Sequence, residues 1–508
     1  VETTGPSLRS RIVLAIVLTV AFYALALALL AALVVGAFVH IGMLTLACGL
    51  AAVALLRGIV PRRRRYEPPG PALTREEQPE LHALLDDVAA RAGDRPVDDV
   101  YLAHDVNAGV LEIPDGFPRR RRRVLELGLP LLQVVDREAL AAIVAHEHGH
   151  YVGGDTRYAL WIGRTRVAID RTIHHMGNSD RIIQSIVAYP FRWYGALFVR
   201  ITAAVSRRQE RAADAVAVRT AGAQAHARAL VAINRAGLAF DTYLSQEVEP
   251  ALAGDVHPPI AAGFGRMLAV PHVRDGVDAL IRRRIAEETL DRRDTHPTLA
   301  ERLGALGVDD PADVAPAPDG TPMAITLLRD VPALERGLLR EPERLRAVAW
   351  EEVGRSATAE HAREYVARHA ELLAGRTVAD AGAMAKDPRE TYDRAFSDDP
   401  PVGPEEREAA TEFVIHLLTY AVLNAATDAG WTIMSLPGEP HTATLEAGRF
   451  PPAPLLWQVQ RGELDPAAWR EAVTELDLAD RPLVPPDLDL DHDDRPSAED
   501  RSLAETAR

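Results

Sequence analysis

Asp136–His150, DREALAAIVAHEHGH, is the stretch that decides the fold. Asp136 is a good N-cap, Glu138 places negative charge in the first turn, and Leu140, Ile143 and Val144 form an apolar stripe at helical spacing, so the segment is predicted to be a helix. Gly153 and Gly154 mark its end. It finishes in H-E-x-x-H. His146 and His150 lie one turn apart on the same face and can address one metal ion, and Glu147 beside them can take a proton from a water at that ion. His148 lies about 200° around the helix from His146 and is predicted to face away.

A catalytic zinc needs a third protein ligand and an open fourth position. Six residues after the second histidine, where one class of zincins places a histidine or aspartate, this chain has Thr156. The other solution is a glutamate from a later helix. Ser206–Asp214, SRRQERAAD, offers Glu210, with Asp214 one turn further on the same face, where it can accept the second ring N–H of a ligand histidine. Taken alone, an E-x-x-x-D pair is usually a solvated helix face.

Together these residues resemble the integral-membrane zinc endopeptidases that include HtpX and the zinc-type CAAX prenyl proteases. The likeness covers roughly residues 95 to 305 and includes two predicted strands, Val100–Leu111 and Val124–Leu129, ahead of the metal-binding helix. Asn107-Ala108 looks like the family's edge-strand motif, which holds substrate backbone. Thr295-His296-Pro297 with Arg302 is similar to its H-P-x-x-x-x-R element, in which the histidine stabilises the oxyanion and the arginine helps hold the site. The alternative His257-Pro258 has Gly263 where the arginine should fall. The resemblance implies one Zn2+ per chain held by His146, His150 and Glu210, with Glu147 and His296 catalytic and Asp214 supporting a ligand. It also places Asn107, Ala108 and Arg302 on the substrate side and implies a polypeptide substrate, cleaved in membrane or misfolded proteins. The expected fold is a mainly α, membrane-anchored zincin with a transmembrane hairpin, a helical catalytic domain carrying a small sheet, and a helical C-terminal extension.

The expectation of a lipid bilayer as partner rests on Ile12–Val35 and Ile41–Val60, apolar runs near the roughly 20 residues that cross a membrane. Arg9 and Arg11 also suit a signal peptide, but the apolar core exceeds the usual ~7 to 15 residues. Positive charge precedes the first run and follows the second at Arg62–Arg65, whereas Gly36–Ile41 has none; the positive-inside rule puts both ends, and the catalytic domain, on the cytoplasmic side of the cell membrane. A net charge of −16 excludes a general nucleic-acid role. Residues 182–205 are apolar and aromatic but contain Pro190, Arg192 and Arg200, which leaves a membrane-surface or re-entrant helix, a third span and a buried helix all open. Arg119–Arg123 reads as a solvated loop between strands, and His104, His174 and His175 as packing or surface residues.

The single cysteine, Cys48, rules out an intramolecular disulfide. The expected organisation is a hairpin over 1–66, a peptidase domain over 67–310, a helical accessory domain over 323–484 suited to a partner protein, and an acidic disordered tail over 485–508. Within the accessory domain, Thr358–Ala374 and Pro404–Ala429 read as helices ending at Gly375 and Gly430, and Trp350, Trp431, Trp457 and Trp469 are available for a core. Two other functions compete: a zinc-binding membrane scaffold without hydrolysis, and a hydrolase of non-peptide bonds. Glu147 speaks against the first, since a structural zinc has no need of a base; an edge strand speaks against the second.

Overall fold

A computed structural model describes residues 8–39, 43–59, 66–114, 121–152, 165–173, 182–287, 297–397, 401–446 and 448–485. The chain is mainly helical with small sheets and divides into two compact units, one of residues 1–236 and 276–334, the other of 237–275 and 335–508.

The first unit begins with two apolar helices, α1 (Leu8–Val39) and α2 (Met43–Ile59). From Val13 to Val39, α1 is long and apolar enough to cross a membrane; α2 is shorter. Their inner faces, with Phe22, Ala26, Ala51 and Leu55, close on Ala168 and Ile169 from a helical segment over 165–173 and on Tyr194, Phe198 and Val205. The outer face of α1 leaves Val13, Val17, Val20, Leu27 and Phe38 exposed.

The last three residues of that core belong to α6 (Ile182–Ala221), a single 40-residue helix. The stretch 182–205, open on sequence grounds, is thus the first half of the helix that carries Glu210 and Asp214. On its outer side Tyr189 and Trp193 are 73% and 64% exposed, beside exposed Arg192 and Arg200.

After α3 (Pro79–Ala92) come β1 (Asp99–Ala103), β2 (Ala108–Pro114) and β3 (Arg121–Gly128), in the order β1-β3-β2, with β1 parallel and β2 antiparallel to the central β3. The single strand expected over Val100–Leu111 is therefore two strands. They separate because the chain turns across Gly128, where a Cβ would stand 1.9 Å from the Asp105 carbonyl oxygen, so only glycine admits the turn. The described part of the expected solvated loop Arg119–Arg123 also departs from expectation, Arg119 and Arg120 lying outside the described residues. Arg121 to Arg123 are the start of β3, and Arg123 is only 9% exposed in its side chain because Asp94 (2.6 Å) and Glu112 (3.5 Å) neutralise it there.

A short helix α4 (Leu129–Val134) leads into α5 (Arg137–Gly149). Asp136 caps α5 as its sequence predicts, accepting from the N–H groups of Glu138 (3.0 Å) and Ala139 (2.9 Å), while Arg228 clamps the same carboxylate at 2.8 Å. Beyond Pro322 the chain pairs with this corner, Arg137 N–H donating to Pro322 and Ala324 N–H to Val135. Helix α7 (Ala223–Tyr243) follows α6 after Gly222, whose φ of +93° reverses the chain; α8 (Leu299–Ala305) is capped by Thr298.

In the second unit the expected helix at Thr358–Ala374 is divided, with a wide turn over Gly354–Thr358, then α9 (Ala359–Arg368), then a short turn ending at Gly375 (φ +72°). Helix α10 (Pro404–Asp428) matches its expected span and ends at Gly430 (φ +91°). It too is long and apolar enough to cross a membrane, but Val414, Leu417, Leu418, Ala421 and Val422 are buried in this unit's core. Trp431 and Trp469 share that core, Trp457 packs at its edge, and Trp350 is buried near Tyr243. The acidic tail beyond Pro485 lies outside the described residues.

Candidate metal centre

The site is made where α5 crosses α6. At the crossing a Cβ on Gly149 would stand 2.6 Å from the Cα of Ala213, so glycine lets the two backbones touch. This contact sets His150 beside Glu210 and His146 beside Asp214. His146 Nε2 lies 3.5 Å from Glu210 Oε2 and His150 Nε2 lies 4.0 Å from Glu210 Oε1, and the three ligand atoms are all within 4.8 Å of one another. Two imidazole nitrogens and a carboxylate oxygen are the donor set that suits a catalytic zinc. His146 responds to this crowd of carboxylates: burial pushes its pKa down, but Asp214 and Glu210 outweigh it and raise it to about 9. The pocket therefore demands positive charge, which a proton or a metal ion can supply.

His148 faces away, as its position on the helix requires. It is 1% exposed and donates from Nδ1 to Asp94 at 2.8 Å.

Asp214 gathers three partners. His146 Nδ1 stands 3.0 Å from its Oδ1, although the N–H does not point straight along that line. His226 Nε2 donates to the same oxygen at 3.0 Å, and Arg302 donates from Nε to Oδ2 (3.0 Å) and from Nη2 to Oδ1 (2.6 Å). Burial would raise the Asp214 pKa; these three neighbours hold it well below the usual carboxylate range. His146, Asp214 and His226 also bring their ligand atoms within 4.8 Å of one another. The guanidinium already seated on Asp214 disfavours a cation there, so the set with Glu210 is the better metal site.

Glu147 is desolvated, which raises its pKa, against the lowering influence of His146 and of the Val110 N–H that donates to Oε2 at 3.3 Å. Val110 is on β2, at the sheet edge. Gly128 N–H bonds the Asn107 carbonyl, so by alternation along an antiparallel pair Ala108 and Val110 turn their backbone groups outward. Tyr151, one residue past His150, donates its hydroxyl to the Val110 carbonyl at 2.8 Å, with its ring 4.3 Å beneath the Arg123 guanidinium. Asn107 Oδ1 accepts from the Ala108 N–H at 2.9 Å.

His146, Glu147, His150, Glu210, Asp214 and Arg302 are thus brought together, with Asn107 and Ala108 at the head of the neighbouring edge strand. Arg302, expected on the substrate side, spends its guanidinium on Asp214. His296 lies outside the described residues. Sequence reasoning missed His226, Tyr151 and the Asp94–His148 pair, none of which belongs to a local pattern. The role of Gly149 had one visible signal, a glycine in the last turn of an otherwise strong helix.

Part of the chain is similar to known proteins. Residues 75–308 match the family model of peptidase family M48. Over 164 residues the chain is 27% identical to the protease HtpX homolog of Sulfurihydrogenibium sp. (strain YO3AOP1), a match covering 29% of this chain and 52% of that protein. The chain thus spans about half the length of this curated relative. No solved structure matches.

Proposed function

Because residues 75–308 belong to peptidase family M48, we propose that the chain is a membrane-bound, zinc-dependent endopeptidase that hydrolyses peptide bonds of membrane or misfolded proteins at the cytoplasmic face. The observation that carries this reading is the convergence of His146, His150 and Glu210 next to a desolvated Glu147 that already touches an edge strand. His146, His150 and Glu210 hold one zinc ion. When bound, zinc supplies the Lewis acidity that polarises a carbonyl and makes a water more acidic.

Glu147 takes a proton from the attacking water as its oxygen adds to the carbonyl carbon. It returns that proton to the amide nitrogen as the C–N bond breaks, so the base is regenerated. His296 steadies the negative charge on the former carbonyl oxygen. The outward backbone groups of β2, with Asn107 and Ala108 at its head, pair with an extended substrate, a mode that recognises backbone with modest side-chain selectivity. Asp214, itself held by Arg302, orients His146. The apolar outer face of α1 anchors the enzyme in the bilayer, and the basic flanks place the catalytic unit on the cytoplasmic side. Glu147 argues against a non-hydrolytic scaffold.

The test is cleavage of an unfolded model protein by the detergent-purified chain supplied with zinc, wild type against Glu147→Gln, with metal content measured in both. The reading expects wild type to cut and the variant to hold zinc while losing at least about a hundredfold in rate. Cleavage by the variant at the wild-type rate removes Glu147 from the mechanism; a wild-type chain that takes up no zinc removes the metal centre.

A further inference from the structure

His226 has no place in the motifs that define the site, yet its chemistry is directed wholly into it. The side chain sits on the first turn of α7, 12 residues beyond Asp214, and reaches back because Gly222 (φ +93°) folds the chain between α6 and α7. It is 2% exposed, and among its ring atoms Nε2 donates to Asp214 while Nδ1 is buried with no partner among the described residues. Burying a ring nitrogen without a partner is unfavourable, a cost that any aliphatic residue of similar size would avoid. Its ring also lies nearly parallel to that of His146, at 20° with centroids 6.0 Å apart.

Arg302 and His226 act on Asp214 differently. The guanidinium fork engages both carboxylate oxygens and fixes the plane of the group. The single bond from His226 falls on Oδ1 alone, the oxygen that faces His146 Nδ1, and pins the end that matters for the ligand.

Resting on the zinc reading given above, we propose that His226 is a positioning residue of the metal centre. Its Nε2–H holds the Asp214 carboxylate in the orientation that aims His146 at zinc, and Asp214 is the route by which it acts.

The experiment is zinc affinity of the full chain in detergent at neutral pH, measured by competition with a chromophoric chelator, which needs no proteolytic readout. His226→Met keeps the length of the side chain and removes the donor; His226→Gln keeps a donor at nearly the same place. Loss of such an outer partner typically weakens a metal site 10- to 100-fold, and that loss is expected for Met, whereas Gln should stay within about threefold of wild type. In an Asp214→Ala background the Met substitution should cost less than about twofold more. Equal weakening by Met and Gln, wild-type affinity in the Met variant, or a full additional loss in the Asp214→Ala background would each overturn the proposal. If wild type itself fails to bind zinc, the reading of the centre falls, and this proposal with it.

Discussion

Replacing Asp94 by Asn should loosen α5 without touching His146, His150 or Glu210. Asp94 follows the left-handed Gly93 (φ 77°) that ends α3, and its Oδ2 accepts from both His148 Nδ1 (2.8 Å) on α5 and Arg123 Nη1 (2.6 Å) on β3. One carboxylate thus ties the helix of His146 and His150 to the centre of the sheet. Two magnitudes agree on what it contributes. Burial would raise the Asp94 pKa, but the hydrogen bonds from His148 and Arg123 lower it from 3.8 to about 2; at about 1.4 kcal/mol per pH unit this is about 2 kcal/mol. Hydrogen bonds to charged groups contribute about 1.5–3 kcal/mol each, and Asn retains one neutral acceptor of about 1, which gives a loss of roughly 2–5 kcal/mol. At the agreed value of about 2 kcal/mol, the expected result is a thermal midpoint lower by about 4–8 °C at pH 7 in the zinc-free chain. The sign with pH follows from the lowered pKa: stability from Asp94 is complete above its unfolded value near 4 and disappears as pH falls through about 2. The gap between wild type and variant should therefore close between about pH 5 and pH 2. Equal midpoints at pH 7, or a gap that stays constant on acidification, would refute the reasoning.

Gly149→Ala forces apart the backbones of α5 and α6 at Ala213; overpacking of this kind costs about 1–3 kcal/mol, so zinc affinity in the chelator competition should fall about tenfold, and unchanged affinity would show that the crossing can give way. Tyr151→Phe removes one hydroxyl from the Val110 carbonyl and leaves the ring under Arg123. With that carbonyl opened to a substrate strand, KM for an extended peptide should fall severalfold while kcat and zinc content hold; a raised KM would mean that the hydroxyl supports the strand. Glu210→Gln keeps the shape of the third ligand and removes its charge, so zinc affinity should drop at least about tenfold, and retention at the wild-type level would remove Glu210 from the ligand set.

The parts of this molecule that were legible in the sequence are those whose cause is local. Asp136 caps α5 because its carboxylate reaches N–H groups two and three residues away. His146, Glu147 and His150 share a helical neighbourhood because 3.6 residues make a turn, and the same periodicity turns His148 away. Glu210 and Asp214 share a face for the same reason. Each of these follows from bond geometry over fewer than five residues, so the chain states it directly. The single strand expected over Val100–Leu111 failed where a distant residue intervened: the break depends on Gly128 admitting the Asp105 backbone. Likewise the arginines of 121–123 read as a solvated run because nothing nearby announces that Asp94 and Glu112 will neutralise Arg123 inside the fold.

What the sequence by itself determined is therefore the donor set: which residue types stand one helical turn apart, and hence which metal and which base they suit. Tertiary structure alone decided that the two helices meet at Gly149 and Ala213, that Arg302 and His226 converge on Asp214 from positions 88 and 12 residues away, and that Glu147 meets the edge strand at Val110. The physical reason is range. Helical periodicity acts through the covalent chain and is written in every window of the sequence, whereas an ion pair or a backbone contact depends on distance in space, which is set only when the whole unit has packed.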